Sequence, residues 1–193
     1  PAPSPASRAP AANGPRAPAA VAAPARPPSE PGTPLDLQAL DWPALAQTAA
    51  TCQACGLCAG RQNTTLLAAE IPVQADWLVL GDPPDEDEDR LGQPFAEQTG
   101  VLLDNMLKAI GATRTGAGRQ GAYLSNVVKC RPPQGRLPQT PELAQCAQYL
   151  HRELALVQPK IILAMGRFAA QVLLAEHPEQ AGLPLGKQRG QVY

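Results

Sequence analysis

The 193-residue sequence holds no apolar run approaching the roughly 18 residues that a membrane-spanning helix needs, so no such helix is expected. It does not open on a charged segment followed by an apolar one, and no secretory leader is expected. No internal repeat is evident, which leaves no basis for a repeat array. There is almost no net charge: 16 Lys/Arg against 17 Asp/Glu give −1, a balance that by itself argues against a polyanionic partner. The distribution argues the other way. Residues 1–100 carry five Lys/Arg and twelve Asp/Glu, a balance of −7, whereas residues 101–193 carry eleven and five, a balance of +6. The second half can therefore present a basic surface to a polyanion, with ordinary solvated helix faces as the alternative. Pro1 stands where a methionine would start a protein, and Tyr193 falls in what reads as a strand, so a fragment cut at both ends is expected.

What is present divides in two. Residues 1–34 are rich in Pro and Ala with no apolar periodicity, the composition of a disordered tether. Residues 35–193 read as one domain. Asp41-Trp42-Pro43 opens a helix with Asp41 as N-cap. Asp76–Gly81 is a short buried strand, and a polar loop leads from it to a helix over about 100–110 with Leu102, Leu103, Met106, Leu107 and Ile110 on one face. A further strand approaches Asn126. Thr140-Pro141-Glu142 begins a helix capped by Thr140 and running to about Val157. Lys160–Gly166 is a third strand, followed by a helix over about 168–175 that ends before His177-Pro178. His151 falls mid-helix and is expected in solvent. Strands alternating with helices predict an α/β fold of three layers, α/β/α, around a mainly parallel sheet.

The stretch Ser125-Asn126-Val127-Val128-Lys129-Cys130-Arg131-Pro132-Pro133 gathers three kinds of chemistry at one strand end. Asn126 offers a donor and an acceptor to one partner, Cys130 is a potential thiolate ligand, and Lys129 and Arg131 suit phosphate. The two prolines stop the strand. Strand ends leading into loops are where open α/β sheets place ligands. Five cysteines in a chain of cytosolic character point to metal or redox chemistry more than to disulfides. Cys52 and Cys55 form a C-x-x-C, Cys58 repeats the spacing, and Cys130 and Cys146 lie far along the chain. Four thiolates from two distant places suit either an iron–sulfur cluster or tetrahedral zinc; a small buried residue is the simpler reading of Cys58.

These residues together resemble the family 4, iron–sulfur uracil-DNA glycosylases. The resemblance covers about residues 40–193 and rests on Cys52-x-x-Cys55, on the stretch from Asp82 to Phe95 with Gly100-Val101-Leu102-Leu103-Asp104, on Asn126 through Pro133, and on Cys146. Leu185 through Gly190 looks like the family's stretch before its last active-site strand. The resemblance implies a [4Fe–4S] cluster on Cys52, Cys55, Cys130 and Cys146, with Cys58 unligated. It implies a base excision repair enzyme that hydrolyses the N-glycosidic bond of uracil in DNA, acting as a monomer in the bacterial cytoplasm and at the nucleoid, with no membrane partner. Phe95 would stack on the flipped base and Asn126 would read its edge. Gly81 and Pro83 would line the substrate site, a carboxylate (Asp82 or Glu88) would position water or steady the cationic sugar, and Lys129 and Arg131 would meet DNA phosphates.

The chain departs from the family's pattern in several places. Where the family has Gly-Glu-Ala-Pro-Gly, this chain reads Gly81-Asp82-Pro83-Pro84-Asp85, with Asp85 in place of a glycine that allows unusual dihedrals. The bland reading of residues 85–89 is a solvated acidic loop. Ala96-Glu97 replaces Val-Gly after Phe95. The family's His-Pro motif is not reached before Tyr193, and His177-Pro178 precedes Arg189-Gly190 rather than following it. A catalytically weak or inactive iron–sulfur DNA-binding relative is therefore the alternative, and an electron-transfer protein a more distant one.

Overall fold

The structure, a computed structural model, describes residues 36–66 and 74–193. The tether expected over residues 1–34 lies outside them. Helix α1 (Trp42–Thr51) starts where Asp41 accepts a hydrogen bond from Ala44 N at 3.0 Å, and it buries Trp42, Leu45 and Ala49. A 3-10 turn over Gly56–Gly60 follows. Strand β1 (Ala75–Gly81) leads through a tight loop to helices α2 (Glu86–Leu91) and α3 (Glu97–Ala109), then to strand β2 (Gly118–Asn126). Helix α4 (Thr140–Val157) connects to strand β3 (Ile161–Met165), and α5 (Arg167–Leu173), α6 (Pro178–Ala181) and α7 (Leu185–Gln188) complete the chain.

The sheet is parallel throughout, in the order β2-β1-β3. Alternation along the strands sends successive side chains to opposite faces. Leu78, Leu80 and Tyr123 face a core that includes residues of α1, α4 and α5, while Val79, Ala122 and Leu124 face Phe95 and Leu103 and Leu107 of α3. That is the three-layer α/β/α arrangement. Because Gly81 pairs with both Asn126 and Met165, all three strands end at one level, and the loops that leave them converge there.

Several local expectations need correction. On α3 the buried face is Gly100, Leu103 and Leu107, and Val101, Leu102, Met106 and Ile110 are exposed; residues 102, 106 and 110 are rotated away from the sheet by one residue's turn. The N-cap of helix α4 is Gln139, whose N–H donates to Glu142 Oε2 at 2.8 Å, which places Thr140 and Pro141 in the first turn. Pro178 opens α6 instead of blocking α5, which has already ended at Leu173. β2 stops at Asn126 without help from Pro132 and Pro133, which follow the bend at 127–130. Residues 191–193 adopt no strand. His151 is exposed, as its mid-helix position indicates.

Candidate functional site

The strand ends carry one site. Residues 85–89 form no solvated loop: Asp85 has φ −87°, well within ordinary backbone space, and its carboxylate accepts from Glu88 N at 2.9 Å to start α2. Glu88 closes the capping box by accepting from Asp85 N at 2.9 Å through Oε2. Its Oε1 turns inward, accepts from Phe95 N, and accepts from Asn126 Nδ2 at 3.3 Å. Burial pushes the Glu88 carboxyl above its usual range, against the pull of the three N–H donors. Both oxygens are thus committed to holding neighbours. Asp89, also buried, accepts from Gln62 N at 3.0 Å and so ties α2 to the segment that follows the cysteines.

Phe95 sits at φ 52°, a left-handed conformation that costs a non-glycine residue on the order of 1 kcal/mol and persists only where its surroundings enforce it. The Glu88 carboxylate does so here. The ring packs on the backbone of Gly81, where a Cβ would come within 2.7 Å of Phe95 Cζ, so the glycine that ends β1 admits the ring. Phe95 is consequently buried in the core facing α3, not projecting from an open loop.

Beside it stands Asn126, 2% exposed. Its Nδ2 donates to Asp82 O at 2.9 Å. A backbone carbonyl only accepts, so this contact settles which way the amide points. Oδ1 is left buried, with no hydrogen-bond partner among the described residues. The expectation that Asn126 presents donor and acceptor together is therefore revised: the donor is held by the protein, and the acceptor alone is free. Asp82 uses Oδ1 to accept from Phe168 N at 2.8 Å and Ala169 N at 3.1 Å, capping α5. Both of these bonds fall on one oxygen, and Oδ2 takes no part in the cap. Gly166, at φ 127°, packs directly against this carboxylate and leaves no room for a Cβ. Pro83 is half-buried at the same loop.

Lys129 does not reach solvent. Its Nζ lies 2.7 Å from Glu153 Oε2, 2.6 Å from Ser125 Oγ and 2.9 Å from Asn126 O, with both charged side chains at most 2% exposed. The expected phosphate contact is excluded by burial. Arg131 is partly exposed and pairs with Glu86 at 3.0 Å. Sequence reasoning missed Glu153, although a signal was there: it falls on the buried stripe of α4 with Cys146, Tyr149, Leu150 and Val157, where an unpaired charge would be costly.

A second site adjoins the first. Cys52, Cys55, Cys58, Cys130 and Cys146 line one cavity together with Tyr149. Lys129 N donates to Cys146 Sγ at 3.2 Å, and Arg61 Nη1 donates to Cys130 Sγ at 3.3 Å and to Cys52 O at 2.8 Å. Arg61 thus joins the two distant cysteine segments, and nothing but its nearness to Cys58 hinted at this. Burial pushes the Cys146 thiol up to about 12 and Cys55 up to about 11, so thiolates here require a bound cation. Among the described residues no group of three His, Cys, Asp or Glu side chains is arranged to hold a single metal ion. Soft sulfur donors around a common cavity, with N–H groups aimed at Cys146 and Cys130, are the ligands that a thiolate-bound metal centre takes.

The profile of the uracil DNA glycosylase superfamily matches residues 68–192, which take in all three strands, and the chain belongs to that superfamily. Within it the relatives are chiefly of one type. A type-4 uracil-DNA glycosylase of Sulfurisphaera tokodaii is 34% identical over 143 residues, covering 74% of this chain and 62% of its own length. One from Archaeoglobus fulgidus is 41% identical over 100 residues, 52% and 48% of the two chains. One from Pyrobaculum aerophilum is 30% identical over 154 residues, 80% and 74%. The chain falls in this type-4 branch while spanning only 62% of the first relative's length. No helix of the described residues is long and apolar enough to cross a membrane.

Proposed function

We propose that the protein hydrolyses the N-glycosidic bond of uracil in DNA. The observation that carries this reading is the buried, unpartnered Oδ1 of Asn126, locked in orientation by Asp82 O. It is an acceptor waiting for a donor. Uracil presents an N–H at N3, where cytosine presents a bare acceptor, so a fixed oxygen admits the first and rejects the second. The base reaches it by leaving the stack, and Phe95, packed on Gly81, is the aromatic side chain proposed to stack on the extruded ring. As the bond breaks, charge builds on the departing base and on the sugar. Asp82 Oδ2, the carboxylate oxygen not engaged in capping, is suited to orient water or steady the cationic sugar. Glu88 is a positioning residue, since its two oxygens hold Asp85, Phe95 and Asn126.

Cys52, Cys55, Cys130 and Cys146 would hold a [4Fe–4S] cluster, with Cys58 as a non-ligating neighbour. When bound, that centre supplies a covalent tie between the segment after α1, the loop after β2 and helix α4. The basic balance of residues 101–193 survives the burial of Lys129, because Glu153 is buried with it. DNA is thus the expected partner, with Arg131 among its phosphate contacts. The protein would act as a monomer in the cytoplasm.

The test is release of free uracil from a single-stranded oligonucleotide by the full-length protein, beside an otherwise identical oligonucleotide carrying cytosine. Release from the first alone is expected. Binding of uracil-containing DNA without release would sink the enzymatic reading and leave a DNA-binding relative of the same fold.

A further inference from the structure

The buried pair Lys129–Glu153 has no part in the chemistry just described, yet it lies between the two sites. Ions removed from water are costly unless every polar group is matched. Here the matching is dense. Glu153 Oε1 accepts from Tyr123 Oη at 2.6 Å and from Ser125 Oγ at 3.1 Å, and Oε2 accepts from Ser125 Oγ at 3.0 Å and Lys129 Nζ at 2.7 Å. The other two bonds of Lys129 Nζ go to Ser125 Oγ at 2.6 Å and to the carbonyl oxygen of Asn126 at 2.9 Å. That carbonyl is the last of β2. The bend at 127–130, with Val127 and Val128 fully buried, returns the lysine beneath the strand end. The same residue's backbone N–H reaches Cys146 Sγ at 3.2 Å. One residue therefore grips the backbone of the base-reading asparagine with its side chain and the wall of the cysteine cavity with its amide.

We infer that Lys129, held by Glu153, is a positioning residue for base recognition: it fixes the Asn126 backbone so that Oδ1 stands where the uracil N3–H must arrive. The inference rests on the glycosylase reading above. A side-chain acceptor locked at its amide end by Asp82 O still swings if its backbone moves, and displacements of about 1 Å at a reacting centre cost on the order of 100-fold in rate. Anchoring the carbonyl removes that freedom.

The test is the double variant K129M/E153Q in the iron-loaded full-length protein. It removes both charges together, so neither is stranded, and the glutamine keeps an oxygen for Tyr123. Iron content and thermal midpoint should stay close to the parent, and KM for DNA should stay within about twofold, since the pair touches no solvent. Uracil release should slow by about 10- to 100-fold in kcat. A double variant that keeps its iron and its midpoint and excises within twofold of the parent refutes the inference. If K129M/E153Q loses iron, K129M/E153L carries the same measurement with an apolar pair; if that also loses iron, the pair is a folding element only and the positioning role is refuted. Parent protein that releases no uracil sinks the glycosylase reading itself, a different outcome from an active parent with an equally active variant.

Discussion

Replacing Asn126 by aspartate changes one atom at the centre of the site, and the geometry gives the consequence. The amide nitrogen that donates to Asp82 O at 2.9 Å and to Glu88 Oε1 at 3.3 Å becomes an oxygen. Two acceptors then face it with nothing to donate. Leaving buried acceptors unmatched costs about 1–3 kcal/mol. If both carboxyls ionise, two unit charges at that separation repel by about 5 kcal/mol even at an effective dielectric near 20. The pair will therefore share a proton, and the loss of that shared proton, its second ionisation, will be shifted upward, in the direction burial already pushes Glu88. With that proton on the new carboxyl, its one O–H restores a donor on the side of Asp82 O and Glu88 Oε1, and its carbonyl oxygen stays free for uracil N3–H. Asn126→Asp should thus lose about tenfold to 100-fold in kcat/KM near pH 8, and the loss should shrink as pH falls through the pair's upper pKa. The parent should show no such recovery. Uracil release measured from about pH 5 to pH 9 for both proteins decides it. A variant that equals the parent at pH 8, or whose deficit is flat with pH, would refute the assignment of Oδ1 as the reading atom.

Three further outcomes are expected. Cys130→Ala should purify without the brown colour and iron of the parent, and Cys58→Ala should retain both; about one tightly bound zinc per chain in place of roughly four irons would rule out the cluster. Arg131→Ala should weaken DNA binding equally for uracil-containing and normal strands, and lower the slope of log affinity against log salt by about one; an unchanged slope removes Arg131 from the phosphate contacts. Burial alone would raise the Glu142 carboxyl, but the Arg136 guanidinium, gripping it at 2.6 and 2.8 Å, and Gln139 N–H hold it below its ordinary value. A folded-state pKa below the unfolded one stabilises the fold above the ordinary glutamate value of about 4.3. That stabilisation is lost as pH falls through the folded value. Glu142→Gln should therefore flatten the acid limb of a urea-unfolding stability curve, and an unaltered limb counts against the contact.

The sheet and its order of elements were legible because their signals are local: short apolar strands, Asp41 as a cap, proline in a first helical turn. The cysteines were legible as a set because spacing survives folding. What escaped depends on direction. Lys129 sits between Val128 and Cys130 in a sequence that gives no sign of which way its side chain turns, and only the bend at 127–130 and the buried Glu153 show that it turns inward. The face of α3 was misjudged because five apolar residues span two adjacent faces and periodicity does not say which one meets the sheet. Asp85 looked like a strained replacement for glycine, but backbone angles cannot be read from residue type, and φ −87° is comfortable for aspartate. The orphaned Oδ1 of Asn126 was out of reach of any sequence argument, since it exists only because Asp82 O claims the other end of the amide.

That Asp85 is at ease bears on the departures around it. Restoring glycine there, which the sequence alone suggests as a route to higher activity, would remove the carboxylate that accepts from Glu88 N and bring no conformational relief. Asp82 is different, because it has two tasks that one substitution can separate. Its Oδ1 caps α5 through Phe168 N and Ala169 N, and the carboxylate lies against Gly166, where a Cβ would not fit. Asn is as good a helix cap as Asp, whereas Ala costs about 1 kcal/mol. Asp82→Asn should therefore unfold at the same temperature as the parent within about a degree or two, and Asp82→Ala several degrees lower. If Oδ2 orients water or steadies the sugar cation, Asp82→Asn should nonetheless release uracil at least about tenfold more slowly, with KM for DNA little changed, because an interaction made only as charge develops is removed from kcat. An Asp82→Asn protein that is both stable and fully active would show that the carboxylate is a cap alone, and the water would then have to be held by backbone groups of the Pro83-Pro84 loop.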